Sequence, residues 1–292
     1  MQFVKKTLGN LEALLPKRFR SKDPRVAVIR MNGAIGMAQP LRAGLSAAGV
    51  SPLLEKAFNL PRAKAVAIII NSPGGAPAQA HLIYQRIKSL AAEKELPVFI
   101  FVEDVAASGG YMIACAGDEI YADPTSIVGS IGVVSAGFGF DRFIEKHGID
   151  RRVHTSGKSK AMLDPFHPEN PDDIAHLKNL QEQIHIFFKD LVREGRKDKL
   201  KADEDFLFSG SFWVGAEALN YGLIDGLGNI HQIMREKYGE KVKLNLLSPP
   251  KPSLLGRLLG KGAQVEMSLI QPEALISAVE ERSLWARFGL WN

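Results

Sequence analysis

The residue with the clearest potential for covalent chemistry is Ser108, in the sequence Ala107-Ser-Gly-Gly-Tyr111. A serine at a turn from strand to helix, followed by glycine, can expose its hydroxyl. The next backbone N–H then points to where an oxyanion would form. The same position suits a serine that only caps the helix, because serine is a favoured N-cap residue. The local pattern therefore predicts either a nucleophile or a structural cap.

A second glycine motif, Asn71-Ser-Pro-Gly-Gly75, directly follows an apolar run. Paired glycines let a backbone approach a ligand closely and can leave N–H groups free to donate. The motif therefore predicts an oxyanion hole or a platform for an extended substrate. The alternative is an ordinary Pro-Gly turn.

A nucleophilic serine needs a base, and two residue types could supply one. None of the histidines lies in a local triad motif; they are His81, His147, His154, His167, His176, His185 and His231. A lysine can act instead when burial among apolar groups disfavours its charged form. Lys160 is a candidate because an apolar, acid-poor stretch follows it, whereas we expect Lys158 to be solvated.

Other kinds of site find no support in the sequence. Walker A, Gly-x-Gly-x-x-Gly and His-Glu-x-x-His motifs are missing, as are nucleic-acid-binding motifs. Cys115 is the only cysteine, which excludes an intrachain disulfide and a cysteine-rich metal site. Its apolar neighbours predict a buried, unreactive thiol. We expect no cofactor, no metal and no nucleic-acid partner.

Positive charge is concentrated at the N-terminus. The 292-residue chain has a net charge of +5, and residues 1–25 account for the whole excess. Apolar residues recur there at helical spacing: Val4, Leu8, Leu11 and Leu15. This predicts a helix that either contacts an anionic membrane surface or packs on the protein's own body. No stretch resembles a transmembrane helix or a signal peptide, so we expect a cytoplasmic protein, with peripheral membrane contact through residues 1–22 as the alternative.

Strand and helix patterns alternate along the chain, which predicts an α/β fold. The predicted strands are 26–31, 65–70, 97–102, 119–122 and 128–135. The predicted helices are 51–60, 77–94, a short one within 105–115, 172–201, 216–221 and 229–237. The last 40 residues contain two amphipathic, largely apolar pieces, around 254–259 and 272–288. The second helix should bury Leu82, Ile83, Ile87 and Leu90, and the long helix Ile174, Leu177, Leu180, Ile184, Phe187, Phe188 and Leu191. We expect a basic N-terminal segment (1–24), a main domain (25–240) and a C-terminal extension (241–292).

Taken in order, five segments resemble the signal peptide peptidase A family of serine peptidases. They are 71–75, 107–118, 122–133, 156–160 and 215–228. The similarity covers about residues 25–240, and the separation of 52 residues between Ser108 and Lys160 matches short members of the family.

This resemblance implies the Clp-protease/crotonase fold, a spiral of ββα units, here with a helical extension. It implies a serine endopeptidase for extended peptides, such as signal-peptide remnants or misfolded proteins. Ser108 would be the nucleophile and Lys160 the general base. The implied supporting residues are Gly109, Gly74 and Gly75 for the oxyanion and Ser130 for orienting the lysine.

The family also implies a homo-oligomer in which neighbouring protomers contribute serine and lysine to one site. Many members carry an N-terminal signal-anchor helix, a pattern we do not find in this sequence. Two alternatives remain at this stage. One is a crotonase-type acyl-CoA enzyme, and the other is a scaffold of the same fold, without activity, that assembles at membranes through its tails.

Overall fold

The computed structural model describes residues 23–37, 45–248 and 272–290. The predicted N-terminal helix, its membrane contact and the apolar piece at 254–259 lie outside these ranges. Within them, no helix is long and apolar enough to cross a membrane.

The described strands form one eight-stranded sheet. They are β1 (Arg25–Asn32), β2 (Ala63–Ser72), β3 (Val98–Ala107), β4 (Glu119–Ala122), β5 (Ile127–Gly129), β6 (Phe212–Val214), β7 (Gly226–Leu227) and β8 (Lys243–Leu246). The order is β6-β5-β3-β2-β1-β8, and β4 lies between the first half of β3 and β7. All pairs are parallel except β5 with β6. The carboxyl ends of β2, β3 and β5 therefore meet at one edge.

Helices cover both faces of this sheet. They are α1 (Ala47–Phe58), α2 (Pro77–Lys94), α3 (Gly109–Ala114), α4 (Asp141–Lys146), α5 (Pro171–Arg196), α6 (Glu204–Leu207), α7 (Gly215–Asn220), α8 (Ile230–Tyr238) and α9 (Pro272–Ala286). The main core includes residues of α1, α2, α3 and the end of α5. On the other face, α8 covers one part of the sheet and the end of α9 covers another. This two-sided burial explains the continuous apolar run of β2.

Helix α2 has the predicted bounds, but one predicted core residue is wrong. Ile83, Ile87 and Leu90 are buried, whereas Leu82 is exposed. Successive helical residues point about 100° apart, so Leu82 lies outside the stripe that faces the sheet. Ala80 and Tyr84 complete that stripe instead.

The long helix α5 ends five residues before the predicted end, and most of its predicted core face is not buried, since Ile174 and Leu177 are only half-buried. Phe188 and Leu191 are buried, but Leu180, Ile184 and Phe187 are not. The buried residues all lie in the last third of α5, because only that part packs on the body of the chain. The described parts of this chain therefore cover the upstream apolar face only in part, with the ring of Phe187 meeting that of His81 at 4.6 Å between centroids.

The predicted strand 128–135 is also wrong, because β5 ends at Gly129. Gly129 and Ser130 have φ values of 116° and 54°, and this left-handed backbone cannot continue a strand. From Val134 onward the chain is exposed as far as α4.

A buried ion pair joins the end of α5 to the turn before β7. Arg196 is 1% exposed, and its Nη1 lies 2.7 Å from Oδ2 of Asp225. Its Nε donates to the Gly222 carbonyl at 2.9 Å. Asp225 also accepts from Lys199 Nζ at 2.7 Å and from the Ile120 N–H at 2.8 Å. Burial alone would raise the pKa of Asp225, but the hydrogen bonds from Arg196 and Lys199 outweigh it and lower that pKa.

Replacing Arg196 with methionine should strongly destabilise the fold, because it leaves a buried carboxylate without its main partner. We expect the free energy of unfolding to fall by about 3–5 kcal/mol. The matched control is Arg193→Met, on the same helix as Arg196. It removes an exposed ion pair with Glu204 and should lower the free energy of unfolding by at most about 1 kcal/mol. Urea unfolding measures both, and equal losses would contradict this role for the buried pair.

The ion pair should also make stability depend on pH. A carboxyl whose pKa is lowered on folding contributes fully to stability above its unfolded pKa, which is about 4. That contribution is lost as the pH falls through the pKa of the folded state. The difference in unfolding free energy between the native protein and Asp225→Asn should therefore shrink below about pH 4. The exposed Asp150→Asn variant serves as the control, and a constant difference for Asp225→Asn would contradict the prediction.

Candidate active site

Ser108 lies directly after β3 and at the start of α3, near the carboxyl ends of β2 and β5. Its φ and ψ are 52° and −123°, a strained combination for a residue with a side chain. Its backbone N–H donates to the Gly129 carbonyl at 2.8 Å, which fixes the turn against β5. The side chain makes no capping hydrogen bond to α3. The structural-cap alternative therefore fails, and the hydroxyl is free of helix capping.

The glycine motif forms a turn that packs directly on Ser108. Gly74 and Gly75 have φ values of 105° and 138°, which favour glycine. A Cβ on Gly74 would lie 2.7 Å from the Ser108 Cβ. A Cβ on Gly75 would lie 2.2 Å from the Ile35 carbonyl oxygen. Both positions therefore exclude a side chain, and the two motifs of the sequence form one site.

The backbone N–H groups of Gly75 and Gly109 lie beside the serine. Among the described residues, neither Gly75 nor Gly109 donates a backbone hydrogen bond, whereas the Gly74 N–H donates to Ser72 Oγ at 3.3 Å. Gly109 is the first residue of α3, a position with no intrahelical acceptor. A Cβ on Gly109 would lie 3.6 Å from the Gly75 nitrogen, so the two donors are neighbours. Such a pair suits an oxyanion.

Ser130 is the neighbour of Ser108 across the sheet edge. The pairing of Ala107 with Gly129 places the two serines at matching positions after β3 and β5. Ser130 is buried, has a φ of 54°, and donates its N–H to the Ser211 carbonyl at 2.7 Å. Its hydroxyl has no hydrogen-bond partner in the described part of the chain. It is therefore a second polar side chain available to a ligand or a base.

Lys160 is not joined to these serines within one chain. It lies on an exposed turn, where its backbone N–H donates to the Gly157 carbonyl at 3.2 Å. No hydrogen bond links its amine to Ser108 or Ser130 in the described residues. Its flanking segments expose large apolar side chains, among them Phe138 and Phe143. The structure therefore assembles the serine and glycine parts of the predicted site and leaves the lysine outside.

Histidine does not replace the lysine as a partner for Ser108. All seven histidines are among the described residues, and none forms a hydrogen bond with Ser108. The Nε2 of His185 lies 3.2 Å from the carbonyl oxygen of Ile131, the residue after Ser130. Cys115 is buried as predicted, and burial raises the pKa of its thiol to about 12.

Asn71 has a structural role that the sequence alone did not reveal. Its Nδ2 donates to Asp104 at 2.7 Å, and its Oδ1 accepts from the Val105 N–H at 3.3 Å. These bonds bridge the irregular stretch where the register between β2 and β3 shifts. Asn71 thereby links the end of β2 to the end of β3, the two strands that lead into the glycine turn and the serine turn. The position of Asn71 at the start of the glycine motif was the only sign of this role in the sequence. The role could not be inferred from it, because the partner Asp104 lies 33 residues away.

Comparison with protein families gives this arrangement an identity. A family model, "Peptidase family S49", matches residues 91–244, a range that includes Ser108, Ser130 and Lys160. The chain belongs to peptidase family S49. "Probable protease SohB" of Buchnera aphidicola subsp. Schlechtendalia chinensis is 30% identical over 77% of this chain and 76% of its own length. The predicted membership in a family of peptidases is therefore confirmed.

Two other relatives of this S49 chain are much longer. "Serine protease SPPA, chloroplastic" of Arabidopsis thaliana is 33% identical over 82% of this chain and 37% of its own length. "Na(+)/H(+) antiporter NhaA" of Brucella melitensis is 52% identical over 97% of this chain and 39% of its own length. The chain thus spans about two-fifths of each of these relatives. The transporter name belongs to a longer protein and does not describe the S49 part.

The fold is shared with a solved protease. A "membrane-bound stomatin-specific protease" in complex with a substrate peptide matches with a TM-score of 0.50 at 17% identity. The match covers 86% of this chain and all of the other. The predicted α/β fold class is therefore confirmed, and it is the fold of this protease.

The close packing of the two turns predicts an unusual cost for a methyl group at Gly74. Gly74→Ala should destabilise the protein by about 1–3 kcal/mol more than Gly239→Ala. Both positions have positive φ, but a Cβ on Gly239 meets nothing within 4 Å. Thermal unfolding of the two variants separates backbone strain from the clash with Ser108. Equal shifts in Tm would contradict the packing described above.

Proposed function

We propose that this S49 chain is a serine peptidase in which Ser108 is the nucleophile and Lys160 the general base. The observation that carries the proposal is the environment of Ser108. Its hydroxyl caps nothing, its backbone is strained, and two unpaired N–H groups lie beside it. A helix cap or a packing serine needs none of these features, whereas an attacking hydroxyl must be free to react and needs hydrogen-bond donors beside it for the oxyanion.

The steps follow from these positions. Ser108 Oγ attacks the carbonyl carbon of an extended peptide, and its proton passes to the neutral Nζ of Lys160. The carbonyl oxygen becomes an oxyanion that accepts hydrogen bonds from the Gly75 and Gly109 N–H groups. Lys160 then gives its proton to the departing amine as the C–N bond breaks. Water, deprotonated by Lys160, hydrolyses the acyl ester and restores the serine.

The lysine must come from a neighbouring protomer under this mechanism. A lysine acts as a base only where its surroundings disfavour the charged form, and Lys160 is exposed in one chain. The flanking segments and the upstream face of α5 expose apolar side chains of the kind found at interfaces between subunits: Val134, Phe138, Phe143, Ile149, Leu180, Ile184 and Phe187. Association of copies of this chain would cover these side chains and bury Lys160 beside Ser130 of the next copy.

The substrates would be extended segments of unfolded protein or released peptides. Extended backbone suits the half-buried turn at Gly75, where the close packing leaves no room for a side chain on the enzyme. The structural relative discussed above is described with a substrate peptide bound, which supports the same class. Membership in S49 and the absence of an acyl-CoA signature in the motifs both disfavour the crotonase-type alternative.

Hydrolysis of a denatured model protein tests the assignment of the two residues. Ser108→Ala and Lys160→Ala should each lower kcat by at least about 10³-fold. Lys160→Arg should be equally inactive, because arginine stays protonated. Lys158→Ala is the matched control, since this exposed lysine lies two residues away, and it should retain activity. Hydrolysis by Ser108→Ala at the native rate would refute the proposal.

Mixing the two inactive variants tests whether sites are shared. When Ser108→Ala and Lys160→Ala are refolded together, an intact serine meets an intact lysine at roughly one contact in four. We therefore expect recovery of about a quarter of the native activity. Each variant refolded alone gives the baseline. No recovery in mixtures that form oligomers would mean that serine and lysine act within one protomer.

A further inference from the structure

The C-terminal helix α9 lies against the strand that carries Ser108. Trp285 and Phe288 are buried. They pack on Val105 and Ala107, whose side chains face away from the main core. Phe288 also meets the ring of Phe212 edge-on, with centroids 5.0 Å apart. Helix α9 thus packs against the last residues of β3 before the serine, on the face of the sheet opposite the main core.

The same helix contacts a second segment, residues 33–35, which we call the strap. Oε1 of Glu281 accepts from the Ala34 N–H at 3.4 Å and from Trp285 Nε1 at 3.5 Å. Glu281 therefore joins the helix to the strap through a single carboxylate oxygen. Its neighbour Glu280 is exposed.

The strap in turn holds the glycine turn through four hydrogen bonds. The Gly33 N–H donates to the Asn71 carbonyl at 3.0 Å, and Ser72 Oγ donates to the Gly33 carbonyl at 2.7 Å. The Ile35 N–H donates to the Gly74 carbonyl at 2.8 Å, and the Ile35 carbonyl accepts from Ala76 at 2.9 Å. A shift of the strap must therefore shift the unpaired Gly75 N–H.

We infer that α9 is a positioning element for the active site, and that Glu281 is its positioning residue. The inference rests on the proposed function. Glu281 fixes the position of the strap, and the strap fixes the position of the Gly75 N–H. Trp285 and Phe288 fix the position of the end of β3, and with it that of Ser108. One helix thus fixes the distance between nucleophile and oxyanion donor. Stabilisation of an oxyanion depends steeply on such distances, so loss of the contact acts on the chemical step.

Three variants of the full chain test this inference. Glu281→Met keeps the length of the side chain and removes the acceptor, and it should lower kcat about 10-fold or more while KM changes less than about 2-fold. Glu281→Gln keeps an acceptor oxygen and should remain near the native kcat. Glu280→Met is the control on the exposed side of the same helix. A Glu281→Met enzyme with native kcat, or a Gln variant as impaired as the Met variant, overturns the inference.

Hydrogen exchange supplies a readout that does not depend on activity. Amides in residues 71–76 should exchange at least about 10-fold faster in Glu281→Met than in Glu280→Met, because the strap is loosened. Amides in the last two turns of α2, residues 87–94, report on global unfolding and should be unchanged. Unchanged exchange in 71–76 overturns the inference even if activity falls. If exchange responds but the native protein shows no Ser108-dependent hydrolysis, the proposed function fails and the contact between α9 and the strap stands.

Discussion

The pair formed by Arg196 and Asp225 is the interaction on which the positions of the other parts depend. It connects the end of α5 to the turn before β7, and Asp225 also holds the start of β4. In the same turn, the Leu223 carbonyl accepts a hydrogen bond from the buried Tyr111 hydroxyl at 2.7 Å. Tyr111 belongs to α3, the helix that begins directly after Ser108. The ion pair therefore anchors the helix whose first N–H faces the oxyanion position.

Such an anchor is needed because the site itself is strained. Ser108 and Ser130 both have positive φ. Each of these strained backbone conformations costs on the order of 1–3 kcal/mol, and interactions within the turn itself do not offset that cost. A strained turn persists only where its surroundings over-determine it. Here α3 is fully buried, β2 and β3 are covered on both faces, and Asn71 bridges their ends. The rigidity of the sheet and of α3 thus maintains a geometry that two isolated turns would relax.

Much of this was predictable from local pattern. The runs of β1 and β2 and the bounds of α2 follow from periodicity. The meeting of the glycine motif with the Ser108 motif was implied by the resemblance to the signal peptide peptidase A family. The sequence did not predict which residues of α5 are buried. Apolar residues at helical spacing form the same pattern whether they pack against their own chain or against another. The early end of β5 depends on the φ of Ser130, which no residue type announces. The contacts of Asn71 with Asp104 and of Glu281 with Ala34 join distant segments and left no local signal.

The two halves of the proposed site differ in how they are built. The serine, its oxyanion donors and their supports are held by a single protomer, with rigid backbone and buried side chains on every side. Lys160 is exposed on a segment that the other described residues of the chain do not cover. A base of this kind gains its reactivity from burial, so the proposed chemistry is switched on by assembly. An isolated chain would then hold a preformed oxyanion hole and an inactive serine. This separation would protect other proteins from hydrolysis until the subunits have associated.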